Sequence, residues 1–314
     1  MSNILTKDSK IYVAGHKGMV GSACCRALLA KGYKNIIGFS SQELDLRNQR
    51  DVFGMLESEK PKAIIDAAAK VGGILANSTQ PYEFLMDNML IQNNLIKAAH
   101  ELNIKKFIFL GSSCIYPKMA PQPLKEEYLL TGPLEETNQW YAIAKISGVK
   151  LIEALRDQYN RDYVSLMPTN LFGPGDNYDL KSSHVIPAML RKFSEANEND
   201  HSPVELWGTG TPKREFIHVD DLANAVVFTL ENKLKESLYN VGSGIEISIK
   251  KLAELIQHLT GHKGEIIWDK NKPDGTPRKF MDSSKLHQLG WSHKINLKEG
   301  ILSVLKDHKK NLIF

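Results

Sequence analysis

Tyr141 and Lys145 stand one helical turn apart in the sequence, downstream of an apolar run, 106–110, that ends in Gly111-Ser112-Ser113-Cys114. On a helix, that i,i+4 spacing sets the phenol and the ammonium on one face. A tyrosine with an ordinary pKa of about 10 is a poor proton donor or acceptor at neutral pH. The spacing predicts that the charge of Lys145 draws Tyr141 toward working range, with the Ser112 hydroxyl holding the same substrate oxygen. Such a trio suits proton movement at a carbonyl or an alcohol.

A second group of residues is suited to an anion. The run Lys10–Ala14 is followed by Gly15-His16-Lys17-Gly18-Met19-Val20-Gly21, and an amphipathic pattern then extends from Ser22 to Lys31. Strand, glycine loop and helix in that order make a phosphate cradle, because the glycines admit a close backbone approach and the helix start offers free N–H groups. The next strand, Asn35–Phe39, ends in Ser40-Ser41-Gln42. An Asp or Glu there would hold a free ribose 2′-hydroxyl. Its absence, with Lys17 nearby, points to a 2′-phosphate and so to NADP(H).

These residues need a scaffold that brings strand ends together. Runs 63–69, 106–110 and 163–167 read as further strands, and the helical patterns 81–101 and 141–159 lie between them. Repeated βα alternation with short connections predicts an α/β fold with a doubly wound parallel sheet. Residues 1–170 read as the dinucleotide-binding domain, with 216–242 returning to it, and 171–314 as mainly a smaller, loop-rich substrate domain. In that second part, 171–177 reads as a loop and 188–196 as a helix. Asp220 is expected to cap a helix over 222–231. Short strands at 239–242 and 264–268 flank a helix over 249–260, and 273–278 is turn-rich.

Bulk properties exclude several classes. The 314 residues carry a net charge of +4 with scattered basic residues, so no nucleic-acid partner is expected. No apolar run approaches the length of a membrane span, and the polar start, residues 1–10, does not resemble a secretory signal. Three cysteines, two of them adjacent, form no disulfide framework, and neither they nor the histidines have metal-ligand spacing. The chain reads as a cytoplasmic protein without a metal.

The glycine loop, Ser112 and Tyr141-x-x-x-Lys145 resemble an extended short-chain dehydrogenase/reductase. Within that superfamily the chain resembles the GDP-L-fucose synthases through 67–73, 111–118, 141–145, 167–170, 184–187 and 272–279. The resemblance implies an NADPH-dependent conversion of GDP-4-keto-6-deoxy-D-mannose in two steps. Cys114 and His184 would exchange protons at C3 and C5, and Tyr141, Lys145 and Ser112 would serve reduction at C4. Taken alone, Cys114 reads as a small buried residue and His184 as a surface or capping imidazole. The resemblance also implies cofactor contacts from Leu110, Gly111, Ser113, Pro168, Thr169, Asn170, Leu171 and His184. It assigns the GDP-sugar to Lys192, Trp207, Arg214 and Asp274, and implies a homodimer through the helices near 81–101 and 145–159. Two positions depart from the family pattern. Lys192 stands where arginine is common, and Ser41 stands where a basic residue often meets the 2′-phosphate. Rival readings are a same-fold dehydratase, which needs a carboxylate pair after the strand-end hydroxyl, and another nucleotide-sugar epimerase. A non-catalytic NADP-binding interaction protein would be expected to lose Tyr141 or Lys145.

Overall fold

The computed structural model describes residues 5–311 except 181 and 273, so the first four residues and the proline of the turn-rich stretch lie outside the described residues. The first half alternates strands and helices: β1 (Ile11–Ala14), α1 (Met19–Ala30), β2 (Ile36–Ile37), α2 (Gln49–Glu59), β3 (Ala63–Asp66), α3 (Ile74–Thr79), α4 (Pro81–Glu101), β4 (Lys106–Leu110), α5 (Gln139–Tyr159) and β5 (Asp162–Pro168). The second half holds β6 (Asn170–Phe172), α6 (Val185–Glu198), β7 (Val204–Trp207), β8 (Lys213–His218), α7 (Val219–Glu231), β9 (Leu238–Val241), β10 (Glu246–Ser248), α8 (Ile249–Thr260), β11 (Ile266–Asp269), β12 (Arg278–Lys279), α9 (Ser284–Gln288) and α10 (Leu297–Asn311).

The main sheet runs β2-β1-β3-β4-β5-β9, every pair parallel. Strands β1, β3 and β4 are buried at every residue. They can be mostly apolar because helices cover both faces, with Asp66 and Lys106 the charged exceptions at their ends. Cys24, Leu28 and Val226 from α1 and α7 fill one side, and Leu95, Val149 and Ile152 from α4 and α5 fill the other. The chain reverses direction across the sheet between β1 and β3, so the crevice at their carboxyl ends is the expected ligand site. A third apolar cluster lies among later elements, with Phe172, Phe193, Leu206, Leu252 and Val304 at its centre.

Several boundaries differ from the sequence reading. α1 begins at Met19, inside the glycine loop, and β2 keeps only two paired residues at the sheet edge. Residues 171 and 172, read as the start of a loop, belong to β6, paired in parallel with β8. The cap of α7 is His218 rather than Asp220: its Nδ1 accepts from the Asp220 N–H at 3.2 Å. An imidazole nitrogen does the work expected of a carboxylate, which lets the helix start three residues early. α2, which Asn48 caps by accepting from the Arg50 N–H at 3.1 Å, lies outside the sequence reading.

Glu215 joins the two halves. It is fully buried in β8, with Oε1 accepting from the Gly244 N–H at 2.7 Å and Oε2 from the Met281 N–H at 3.1 Å. Its own carbonyl accepts from Thr169 Oγ1 and Asn170 Nδ2. Replacing Glu215 with alanine strands two buried donors, which costs about 2–4 kcal/mol of unfolding free energy. Urea denaturation measures this, and a loss under about 1 kcal/mol would show that the carboxylate is dispensable to the join.

Candidate functional site

The glycine loop forms a cradle. Gly15 has φ +73°, and a Cβ there would lie 2.8 Å from the Ala67 carbonyl oxygen, so β1 and β3 approach closely only with glycine at this place. A Cβ on Gly21 would overlap the Gly15 carbonyl. Gly18 caps α1 with no side-chain bond, which leaves the first N–H groups of the helix for an external anion. Lys17 and His16 face Glu43 nearby. These features fit a dinucleotide pyrophosphate.

The strand end after β2 holds a carboxylate that the strand register does not reveal. No acid stands at 40–42, yet Glu43 folds back to the same place. The N–H and hydroxyl of Ser40 both donate to its Oε2, at 2.7 and 2.6 Å. These bonds hold the carboxyl of Glu43 below the usual carboxylate range. A carboxylate placed by a turn, not by the strand register, escapes a position-by-position reading of the strand end.

At the carboxyl end of β4, Ser112 caps a 3₁₀ turn, Ser113–Ile115, and its Oγ accepts from the Cys114 N–H at 3.4 Å. Cys114 is buried; desolvation pushes its thiol up, while Lys279, a bond with the Ser112 hydroxyl and Lys145 pull it back. Lys145 is 2 % exposed and donates to the Leu110 carbonyl at 2.8 Å, which pins α5 to the end of β4. Burial pushes its pKa down, opposed by Asp66 and Cys114.

Tyr141 behaves otherwise than its spacing suggests. Lys145 Nζ lies 5.8 Å from the Tyr141 ring centroid, and the phenol is pushed up, first by burial and then by Cys114 and Asp66. Desolvation dominates, so Tyr141 rests as a protonated phenol. Its ring meets Phe84 edge-on at 6.5 Å.

His184 reaches the same neighbourhood from the other half of the chain. It caps α6 with its backbone, and its ring makes no capping bond. The segment before it is tied to the first half by the Gly73 N–H donating to the Ser182 carbonyl at 3.2 Å. The ring keeps accessible surface, yet surrounding protein pushes its pKa down and Lys279 adds to that effect. Open surface together with a desolvation-dominated shift describes the wall of a cleft.

Lys279 went unassigned in the sequence, although it lies in the matched stretch 272–279. It pairs with Arg214 across the β12–β8 ladder, and its charge is felt by both Cys114 and His184. Burial lowers its own pKa. Only the parallel pairing of β12 with β8 brings it there, so no local signal could have found it.

The other assigned residues divide. Trp207, Asp274 and Arg214 gather at one place: Thr209 donates to both Asp274 oxygens at 2.7 and 2.8 Å, and a Cβ on Gly275 would lie 3.4 Å from Arg214. Trp207 is 56 % exposed beneath Lys272. Lys192 is turned to the Glu205 carbonyl at 2.8 Å. Thr169 and Asn170 spend their side-chain donors on Glu215, and Pro168 is buried in β5. Leu110, Gly111, Ser113 and Leu171 contribute backbone at the strand ends, and Ser41 is exposed at its turn. Among the described residues no group of three or more His, Cys, Asp or Glu is placed to hold a metal.

The model of the NAD dependent epimerase/dehydratase family matches residues 11–242. The chain is 51% identical over 312 residues to GDP-L-fucose synthase 1 of Arabidopsis thaliana, covering 99% of this chain and 97% of that protein. It is 48% identical over 303 residues to the GDP-L-fucose synthase of Escherichia coli strain K12, covering 94% of each. Among solved structures, a gdp-l-fucose synthetase from Naegleria fowleri bound to NADP superposes with a TM-score of 0.91 at 27% identity, covering 98% of this chain and 95% of that one.

Glu43 yields a prediction. Its carboxylate occupies the donors of Ser40 and adds negative charge at the strand end that faces the ribose in doubly wound folds. Glu43→Gln should raise the affinity for NADP⁺ over NAD⁺ several-fold, measured by titration calorimetry of each nucleotide. An unchanged ratio would place the carboxylate outside the reach of the ribose.

Proposed function

This chain belongs to the NAD dependent epimerase/dehydratase family, and we propose that within it the protein converts GDP-4-keto-6-deoxy-D-mannose to GDP-L-fucose with NADPH as reductant. The observation that carries this reading is the gathering of five side chains around the carboxyl end of β4. Cys114, Tyr141 and Lys145 share an electrostatic neighbourhood, and Lys279 faces both Cys114 and His184. Gly15, Gly18 and the start of α1 would hold the dinucleotide pyrophosphate, with Lys17 near Glu43 on the ribose side. When bound, the cofactor supplies a hydride to the C4 carbonyl.

The substrate protons at C3 and C5 are both α to the C4 ketone, hence acidic enough to be removed. Inversion requires a proton acceptor on one face of the ring and a donor on the other. At neutral pH the raised thiol of Cys114 rests protonated and the lowered imidazole of His184 rests neutral. One can give a proton and the other can take one, without prior ionisation of either. Ser112 and Tyr141 donate to the C4 oxygen while it carries enolate charge, and Lys145 adds positive charge behind them. Tyr141, held protonated by its burial, then delivers its proton to the same oxygen during reduction. Arg214, Trp207 and Asp274 take the GDP-sugar, with Arg214 suited to forked phosphate contact.

Residues 1–170 and 216–242 form the cofactor domain in this reading, and most of 171–314 the substrate domain. A second copy covers the face shared by α4 and α5. Tyr82, Met86 and Leu90 follow one another at i,i+4 on α4, and Trp140 and Ile143 add to them from α5, all more than a third exposed. Among the described residues no helix is long and apolar enough to cross a membrane. Three free cysteines suit a reducing cytoplasm, where Cys114 stays a thiol.

Incubation with NADPH and GDP-4-keto-6-deoxy-D-mannose should consume NADPH and give GDP-L-fucose, identified by product stereochemistry. In D₂O, Cys114→Ser should lower label uptake at C3 and C5 by about 10²- to 10⁴-fold while NADPH still binds. Undiminished uptake would remove Cys114 from proton transfer. Sedimentation equilibrium should give a dimer at micromolar concentration, and a monomer there would leave the α4–α5 face without its partner.

A further inference from the structure

Asp66 is the last residue of β3 and has no accessible surface. Its carboxylate has little to compensate that burial. Oδ1 accepts from the Ala68 N–H at 3.2 Å, and Oδ2 has no hydrogen-bond partner. A buried carboxylate with a single backbone bond is costly, and such groups concentrate where charge is used.

The sheet register shows what lies beside it. Asp66 pairs with Phe109 across the parallel β3–β4 ladder, so their side chains rise from the same face about 4.8 Å apart. Lys145 Nζ lies 4.6 Å from the Phe109 ring centroid and donates to Leu110 next to it. The ammonium therefore sits over the strand adjoining Asp66. We propose that Asp66 is a positioning residue for the reductive step, its buried carboxylate acting through Lys145 to keep that side chain charged beneath Tyr141. The proposal rests on the reductase reading above.

The electrostatics agree in direction. Asp66 favours the charged form of Lys145, and Lys145 favours ionised Asp66, while burial holds the carboxyl up to about 6. The other titratable groups facing this layer come from three elements. Tyr12 on β1 has a buried hydroxyl without a partner and is pushed up by burial and Asp66. Tyr141 on α5 is raised by Asp66, and Cys114 on the 3₁₀ turn raises both Tyr141 and Lys145. The buried polar residues of α4, Asn88, Gln92 and Asn94, do not titrate. Across most of the neutral range Asp66 is thus, among the described residues, the resident anion that acts on Lys145.

Asp66→Asn separates charge from shape, since the amide oxygen can still accept from Ala68. In the wild type, the rate of ketone reduction should fall on the alkaline side as Lys145 loses its proton. In Asp66→Asn that limb should move toward neutrality by about one pH unit, and Asp66→Glu should move it back. A limb at the same pH in wild type and Asp66→Asn would overturn the proposal.

A second measurement needs no substrate. Folded Asp66 binds its proton up to about pH 6, above the ordinary value of 3.8. The folded state holds that extra proton, so wild-type stability should decline as pH rises through this window, and Asp66→Asn should lose the decline. Equal slopes would overturn the buried-anion assignment. If the ketosugar were not turned over, the reductase reading would fail separately; the pH dependence of NADPH affinity would then carry the test. An alkaline loss of affinity shifted in Asp66→Asn supports the link to Lys145, and an unshifted one overturns it.

Discussion

The bond from the Lys145 ammonium to the Leu110 carbonyl anchors the chemistry of this protein. It is made between an α-helix and the last residue of the central strand, in a place with almost no solvent. A buried ammonium is tolerated only with fixed oxygen and negative charge around it. That requirement fixes where α5 sits on the sheet. It thereby fixes Tyr141, one turn earlier on the same face, over the Ser112–Cys114 turn that ends β4. Glycine at 15 and 21 lets the first strand and loop close on the third, so a cofactor cradle lies along the same edge.

The second half of the chain completes the cleft. β6, β8 and β12 run beside one another, and this parallel arrangement carries Lys279 next to Arg214 and toward Cys114 and His184. A single cation facing a thiol and an imidazole opposes protonation of the imidazole and eases ionisation of the thiol. Burial works against the second effect and with the first. The resting pair is a thiol and a neutral imidazole because desolvation is the larger influence on both.

Much of this arrangement could be read along the chain. Short apolar runs ending in glycine or serine, alternating with amphipathic helices, specify a parallel sheet whose functional groups collect at one edge. The glycine loop and the Tyr141–Lys145 spacing announce their chemistry through local geometry. Elements with weak local signals were less legible. β2 keeps two paired residues, α2 lies outside the sequence reading, and 171–172, read as loop, pair with β8.

The chain alone determined the sheet, the cradle and the phenol–ammonium pair, because each depends on periodicity or on neighbours within a few residues. Tertiary structure decided the rest. It set Lys279 before the thiol and the imidazole, and placed Asp66 beside the residue under Lys145. It also raised the phenol that spacing alone would lower. The reason is common to all three: ionisation depends on burial and on charges distant in sequence, and neither exists until the strands have taken their register.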